Sequence, residues 1–196
     1  MKKIFLVLNI LFLTFSAKTI ADTSNSIKQI YEGNEDAKVT IITYESLTCS
    51  HCADFHKDVY PHLKKDFIDK GHVNIEFRNF PLDMAALNAS MVAHCKNDGN
   101  SDILHFLFDN QKKWAKGDSI EKINSNLKKI LNTGKYEIDI NKCLDNKEVE
   151  DHILEDRIKA VKKFNLNATP TLIINNKKFD KTLNYKNLKK TIEKLI

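Results

Sequence analysis

Val39-Thr40-Ile41-Ile42-Thr43-Tyr44 runs almost directly into Cys49-Ser50-His51-Cys52, so an apolar strand-like segment feeds a pair of cysteines separated by two residues. Downstream, Phe55, Val59, Leu63 and Phe67 recur at helical spacing, which predicts a helix from Ala53 to Phe67 with a kink at Pro61. Cys49 therefore falls at a helix N-terminus. There the unpaired N–H groups and the positive end of the helix dipole favour a thiolate, and a protonated His51 beside it adds to the effect. The pattern predicts thiol–disulfide chemistry with Cys49 as an exposed, acidic nucleophile.

Other uses of two cysteines fit less well. A c-type haem site needs a histidine directly after the second cysteine, where Ala53 stands. A structural zinc site needs four ligands, usually from a second close Cys/His pair, whereas Cys95 and Cys143 lie far apart; no metal and no cofactor are expected. Buried core thiols do not usually fall at this spacing on a strand-to-helix junction. A purely structural disulfide across so short a loop would add little stability. His56, His62, His72, His94, His105 and His152 are scattered without ligand spacing and read as surface or core-satisfied residues.

At the N-terminus, Met1-Lys2-Lys3 precedes an apolar stretch from Ile4 to Phe15, and small residues follow at Ser16, Ala17 and Ala21. This is the layout of a secretory signal peptide, with cleavage after Ala17 or Ala21. Export to the periplasm is the expectation. In an oxidising compartment an even cysteine count favours pairing, and once Cys49 and Cys52 pair, Cys95 and Cys143 remain. A second disulfide between them would close a long loop, worth roughly 4 kcal/mol in the chain-entropy picture. Two unpaired buried thiols are the alternative.

The formal net charge is +5, of which Lys2, Lys3 and Lys18 in the leader supply three units. Arginine occurs only at 78 and 157. Pairs such as Lys112-Lys113, Lys128-Lys129 and Lys189-Lys190 fall on polar helix faces, so the lysines read as solvated surface and no nucleic-acid partner is expected.

Val73 to Phe80 alternates apolar and polar residues as a strand does. A helical tract follows: Met84 to Asn97, Ser101 to Trp114, then a helix from Asp118, with Glu121 in the capping-box position, to near Gly134. A short turn is expected to hold Cys143, and a helix from Lys147 to Phe164 to bury Val149, Ile153, Ile158 and Val161. Thr171 to Ile174 and Lys177 to Phe179 flank Asn175-Asn176 as a hairpin. Tyr185, Leu188, Ile192 and Leu195 mark a closing helix.

With Ser46-Leu47-Thr48-Cys49-Ser50-His51-Cys52, Phe77-Arg78-Asn79-Phe80-Pro81-Leu82 and Ala168-Thr169-Pro170-Thr171 in this order, the chain resembles the thioredoxin superfamily. More narrowly it resembles DsbA-type thiol:disulfide oxidoreductases, of the alphaproteobacterial type with a second disulfide. The resemblance implies an α/β class, a thioredoxin-like fold with an inserted helical domain. It divides the chain into a signal peptide at 1–21, thioredoxin-like parts at 22–82 and 164–196, and a helical insert at 83–163 that holds Cys95 and Cys143. It also implies that Cys49 is the nucleophile, Cys52 the buried resolving thiol, and His51 a stabiliser of the thiolate. Thr169 and Pro170 match the family's cis-proline loop, where substrate pairs with the backbone; an X–Pro bond is the one at which cis costs little. Implied partners are unfolded or reduced exported proteins and a DsbB-like membrane quinone reductase. Ser50 stands where proline is common and Thr169 where the best-known oxidase has valine; threonine also occurs there in isomerases and reductases of this fold. Too few residues separate Ala21 from Val39 for an isomerase's dimerisation domain, so a monomer is expected. A non-catalytic binding module stapled by its CxxC is the reading from another class, and a reactive Cys49 excludes it.

Overall fold

The computed structural model describes residues 27–134 and 136–196; the expected leader at 1–21 lies outside them. Five strands form one sheet: β1 Ile30–Gly33, β2 Val39–Glu45, β3 Val73–Asn79, β4 Thr171–Ile174 and β5 Lys177–Lys178, in the order β1-β3-β2-β4-β5. β2 pairs parallel with β3, and β1–β3, β2–β4 and β4–β5 are antiparallel. A parallel pair needs a crossover, and the helical stretch 50–68, called α1, supplies it. The CxxC motif thereby sits just beyond the carboxyl end of the central strand. β1 was not legible in the sequence pattern. It ends at Gly33, where φ is +100° and a Cβ would lie 2.5 Å from the carbonyl oxygen of Val73, so only glycine fits.

α1 starts at Ser50, earlier than the apolar spacing predicts, and alternates α-helical Ser50–Asp54 and Tyr60–Leu63 with wider π turns Phe55–Val59 and Lys64–Ile68. Pro61 lies in the first turn of the α-helical stretch Tyr60–Leu63, just past the first π turn, where the hydrogen-bond register has already shifted and its missing N–H is tolerated. The remaining helices are α2 Met84–Ala93, α3 Asp102–Asp109, α4 Gln111–Trp114, α5 Ile120–Thr133, α6 Ile140–Leu144, α7 Lys147–Phe164 and α8 Tyr185–Ile192.

Several local expectations are corrected. The tract Ser101 to Trp114 breaks at Asn110 into α3 and α4. α5 is capped by Ser119, whose hydroxyl accepts from the Lys122 N–H at 3.2 Å, and not by Asp118. Cys143 lies on a short helix, not in a turn. On α7 the buried face is Val149, Ile153, Asp156 and Ala160, while Ile158 and Val161 are exposed. Leu195 is exposed beyond the end of α8.

Alternation along the strands divides the core between two faces of the sheet. On one face Ile41, Leu172 and Ile174 pack with Phe55, Leu63 and Phe67 of α1, with Leu188 and Ile192 of α8, and with Leu104, Leu107, Trp114 and Leu127 of the helical segment. On the other, Tyr44 and Ile173 pack with Phe80, Ala160 and Leu166. The helical segment thus shares the main core, and Trp114 anchors it: the ring is fully buried and its Nε1–H donates to the Leu107 carbonyl at 2.8 Å. Cys95 and Cys143 are bonded to each other, tying the end of α2 to α6 across a sequence separation of 48.

Candidate active site

Cys49 is the N-cap of α1, with extended backbone (φ −77°, ψ 121°) and a carbonyl that accepts the Ala53 N–H at 3.2 Å. Its sulfur lies at the positive end of the helix and makes no cap hydrogen bond to the first N–H groups. A hydrogen bond from the Cys52 thiol and the nearby backbone N–H groups of Cys52 and His51 outweigh burial, and the Cys49 thiol is held down to about 5. Cys52 is fully buried, and burial pushes its thiol far up. The two sulfurs are therefore unlike: one half-exposed and ionised near neutrality, the other enclosed and protonated. Both are free thiols.

His51 reaches Cys49 through its backbone N–H. Its imidazole points to solvent, 82% exposed, with Nδ1 3.8 Å from the Asp54 carboxylate.

Thr169 and Pro170, distant in sequence, are brought to Cys49 by sheet register. β4 begins at Thr171, opposite Tyr44 near the end of β2. The residues just before β4 therefore lie beside the loop that leaves β2. The Thr169–Pro170 bond is cis, and the Cys49 thiol lies 3.5 Å from the Thr169 carbonyl oxygen as its donor. Next to them a groove of about 490 Å³ is lined by His51, Asp54, Phe55, Pro170, Leu183 and Tyr185, among others. Its lining mixes apolar side chains with the acidic Asp54 and Asp58 and the polar Asn184.

Two further contacts escape sequence reasoning. Gln111 of α4 donates its side-chain amide to the carbonyls of Leu47 and Cys49, both at 2.9 Å. Thr48 donates its hydroxyl to Asp83 at 2.8 Å, and Asp83 also caps α2 by accepting from the Ala86 N–H at 2.7 Å. Asp83, directly ahead of Met84, carries a visible capping signal; nothing marks Gln111, a polar residue beside two lysines. The sequence-predicted residues Cys49, Cys52, His51, Thr169 and Pro170 thus come together, while Cys95 and Cys143 lie in the helical segment. Among the described residues no group of three or more His, Cys, Asp or Glu side chains is arranged to hold a metal ion.

The family model for thioredoxin matches residues 25–194. The chain belongs to the thioredoxin superfamily. Within it the protein is DsbA-like. The crystal structure of Wolbachia pipientis alpha-DsbA1 superposes with a TM-score of 0.77 at 29% identity, covering 85% of this chain and 90% of that one. BdbD from Bacillus subtilis, in its oxidised crystal structure, gives a TM-score of 0.66 at 26% identity over 85% of this chain and 91% of that one. By sequence, the disulfide bond formation protein D of Bacillus subtilis is 30% identical over 172 residues, 83% of this chain and 74% of that protein. A putative protein-disulfide oxidoreductase of Rickettsia bellii is 28% identical over 145 residues, 73% of this chain but 55% of that protein. The DsbA-like chain spans about half the length of such rickettsial relatives.

Proposed function

We propose that the protein is a thiol:disulfide oxidoreductase that passes the Cys49–Cys52 disulfide to reduced, exported proteins in the periplasm. The observation that carries this is the asymmetry of the two sulfurs. A substrate thiolate attacks Cys49 in the disulfide, and Cys52 leaves; the mixed disulfide on Cys49 is then attacked by the second substrate thiol, and Cys49 leaves as a thiolate. Stabilising that thiolate lowers the energy of the reduced protein and makes the disulfide a stronger oxidant. Client segments lie extended in the groove beside Thr169 and Pro170, and their backbone pairs with the loop. The names of the Bacillus and Rickettsia relatives support the class of reaction. Export rests on the leader read at residues 1–21, reoxidation on a DsbB-like quinone reductase, and the protein acts as a monomer in which residues 22–82 and 164–196 form the thioredoxin-like unit around the insert at 83–163.

Equilibration with glutathione tests the direction of electron flow. A Cys49–Cys52 potential more oxidising than about −200 mV supports the oxidase. A value near the roughly −270 mV of thioredoxin would overturn it in favour of a reductase.

A further inference from the structure

The groove beside Cys49 is lined from α1 by His51, Asp54, Phe55, Asp58 and Val59, residues that helical spacing brings to one face. Of the 196 residues 31 are lysine or arginine, yet among the described residues none of these lines the groove. Its carboxylates are those of Asp54 and Asp58. The Asp54 side chain is 66% exposed and lies 3.8 Å from His51 Nδ1, beyond hydrogen-bond reach. Asp58 is exposed and has no ion-pair partner among the described residues. Tyr185, which also lines the groove, has Lys189 over its ring at 6.0 Å, and Glu193 lies 3.9 Å from that ammonium. A chain of net charge +5 thus presents its nucleophile beside a locally negative groove.

Alongside the carboxylates stand the apolar Phe55, Val59, Pro170 and Leu183. That combination matches a lysine or arginine side chain, whose methylene stem covers apolar surface while its charged head reaches a carboxylate. An acidic side chain meets like charge there, and a purely apolar one gains only the contact of its stem. Spacing adds register. At about 1.5 Å per residue, Asp54 lies about 7 Å and Asp58 about 13 Å along the helix from Cys49. An extended client advances about 3.3 Å per residue, so these distances correspond to the second and fourth residues from its reacting cysteine. Both of those side chains project from the same side of an extended strand.

We propose that Asp54 and Asp58 make the groove selective for client segments that carry lysine or arginine two and four residues from the cysteine undergoing exchange. The selectivity rests on the thiol-exchange reading of Cys49 and Cys52 and names the clients of that same site. The two carboxylates hold the client's flanking side chains and take no part in the bond changes at sulfur. Because both are exposed, the attraction is screened by salt and acts mainly on the rate of productive encounter.

Transfer of the Cys49–Cys52 disulfide from the oxidised protein to dithiol peptides tests this. Three peptides differ only at the second and fourth residues on either side of one cysteine, which are lysine, norleucine or glutamate. At pH 7 and low ionic strength the second-order rate is expected to be about tenfold higher for the lysine peptide than for the glutamate peptide, with norleucine between them. In the Asp54→Asn/Asp58→Asn double variant that ratio is expected to fall to about twofold, the remainder coming from the client's own thiol, which a neighbouring ammonium acidifies. The native ratio in the variant would overturn the proposal, since the preference would then belong to the peptide alone. Salt gives a readout that needs no variant: at about 0.5 M the native ratio should shrink, and a ratio that salt leaves in place would equally overturn it. Equal rates for all three peptides with the native protein would overturn the selectivity while leaving the thiol exchange standing. Absence of transfer to every peptide would instead overturn the thiol-exchange reading, and the selectivity with it.

Discussion

The side-chain amide of Gln111 donates to the carbonyl oxygen of Cys49 at 2.9 Å, and so ties the short helix α4 to the residue that caps the active-site helix. The same amide holds the Leu47 carbonyl. The strand-to-helix loop therefore takes its shape partly from the helical segment, which holds the carbonyls on either side of the turn into the active-site helix.

Gln111→Leu leaves two carbonyls without that donor in a largely buried place, at a cost of roughly 1–3 kcal/mol. The Cys49 thiol is expected to titrate higher in this variant, because the helix end loses its alignment. Thiolate absorbance against pH, with urea unfolding in parallel, measures both effects. A loss of stability with no change in the titration would confine Gln111 to a structural role.

In the reduced protein Cys49 gives up its proton near pH 5, whereas in the unfolded chain it does so near about 8.5. Between these values the unfolded state binds more protons, so the stabilisation from the thiolate grows with rising pH and is lost as pH falls through about 5. The disulfide form has no such dependence. Melting temperatures of the two forms over pH 4 to 8 are expected to shift in favour of the reduced one as pH rises; a constant difference would show an ordinary thiol.

His94 is buried against Asn79, whose side-chain amide lies 3.0 Å from Nε2, and burial first, then His152, lowers its pKa to about 4. The unfolded histidine takes up its proton near about 6.5. Stability from this group is therefore present above that value and falls as pH drops toward 4. His94→Gln, which has no titrating ring, is expected to flatten the loss between those limits when unfolding is followed in urea at several pH values.

The Cys95–Cys143 bond closes a loop with a sequence separation of 48, so Cys95→Ala with Cys143→Ala should cost roughly 2–4 kcal/mol of stability. The Cys49 titration is expected to stay near its native position, because neither cysteine touches the active-site loop. A full-strength melting curve in the double variant would show that the cross-link adds no stability.

The sequence by itself determined the reactive motif and most elements around it, because these are written in local patterns. Two cysteines two residues apart between an apolar run and a helical face define a nucleophile at a helix end. Periods of about 2 and 3.6 residues located β2 through β4 and the longer helices, but neither the break at Asn110 nor the short helix α6. Only the tertiary structure decided which distant groups meet that motif. β1 has too little alternation to be read alone and exists by pairing with β3. Thr169 and Pro170 reach Cys49 because β4 aligns Thr171 with Tyr44. Gln111 is a polar residue whose partners lie outside its own helix, and nothing local distinguishes it from polar residues that face water. Burial converts such groups from solvated to obligately paired, and burial is a property of long-range packing.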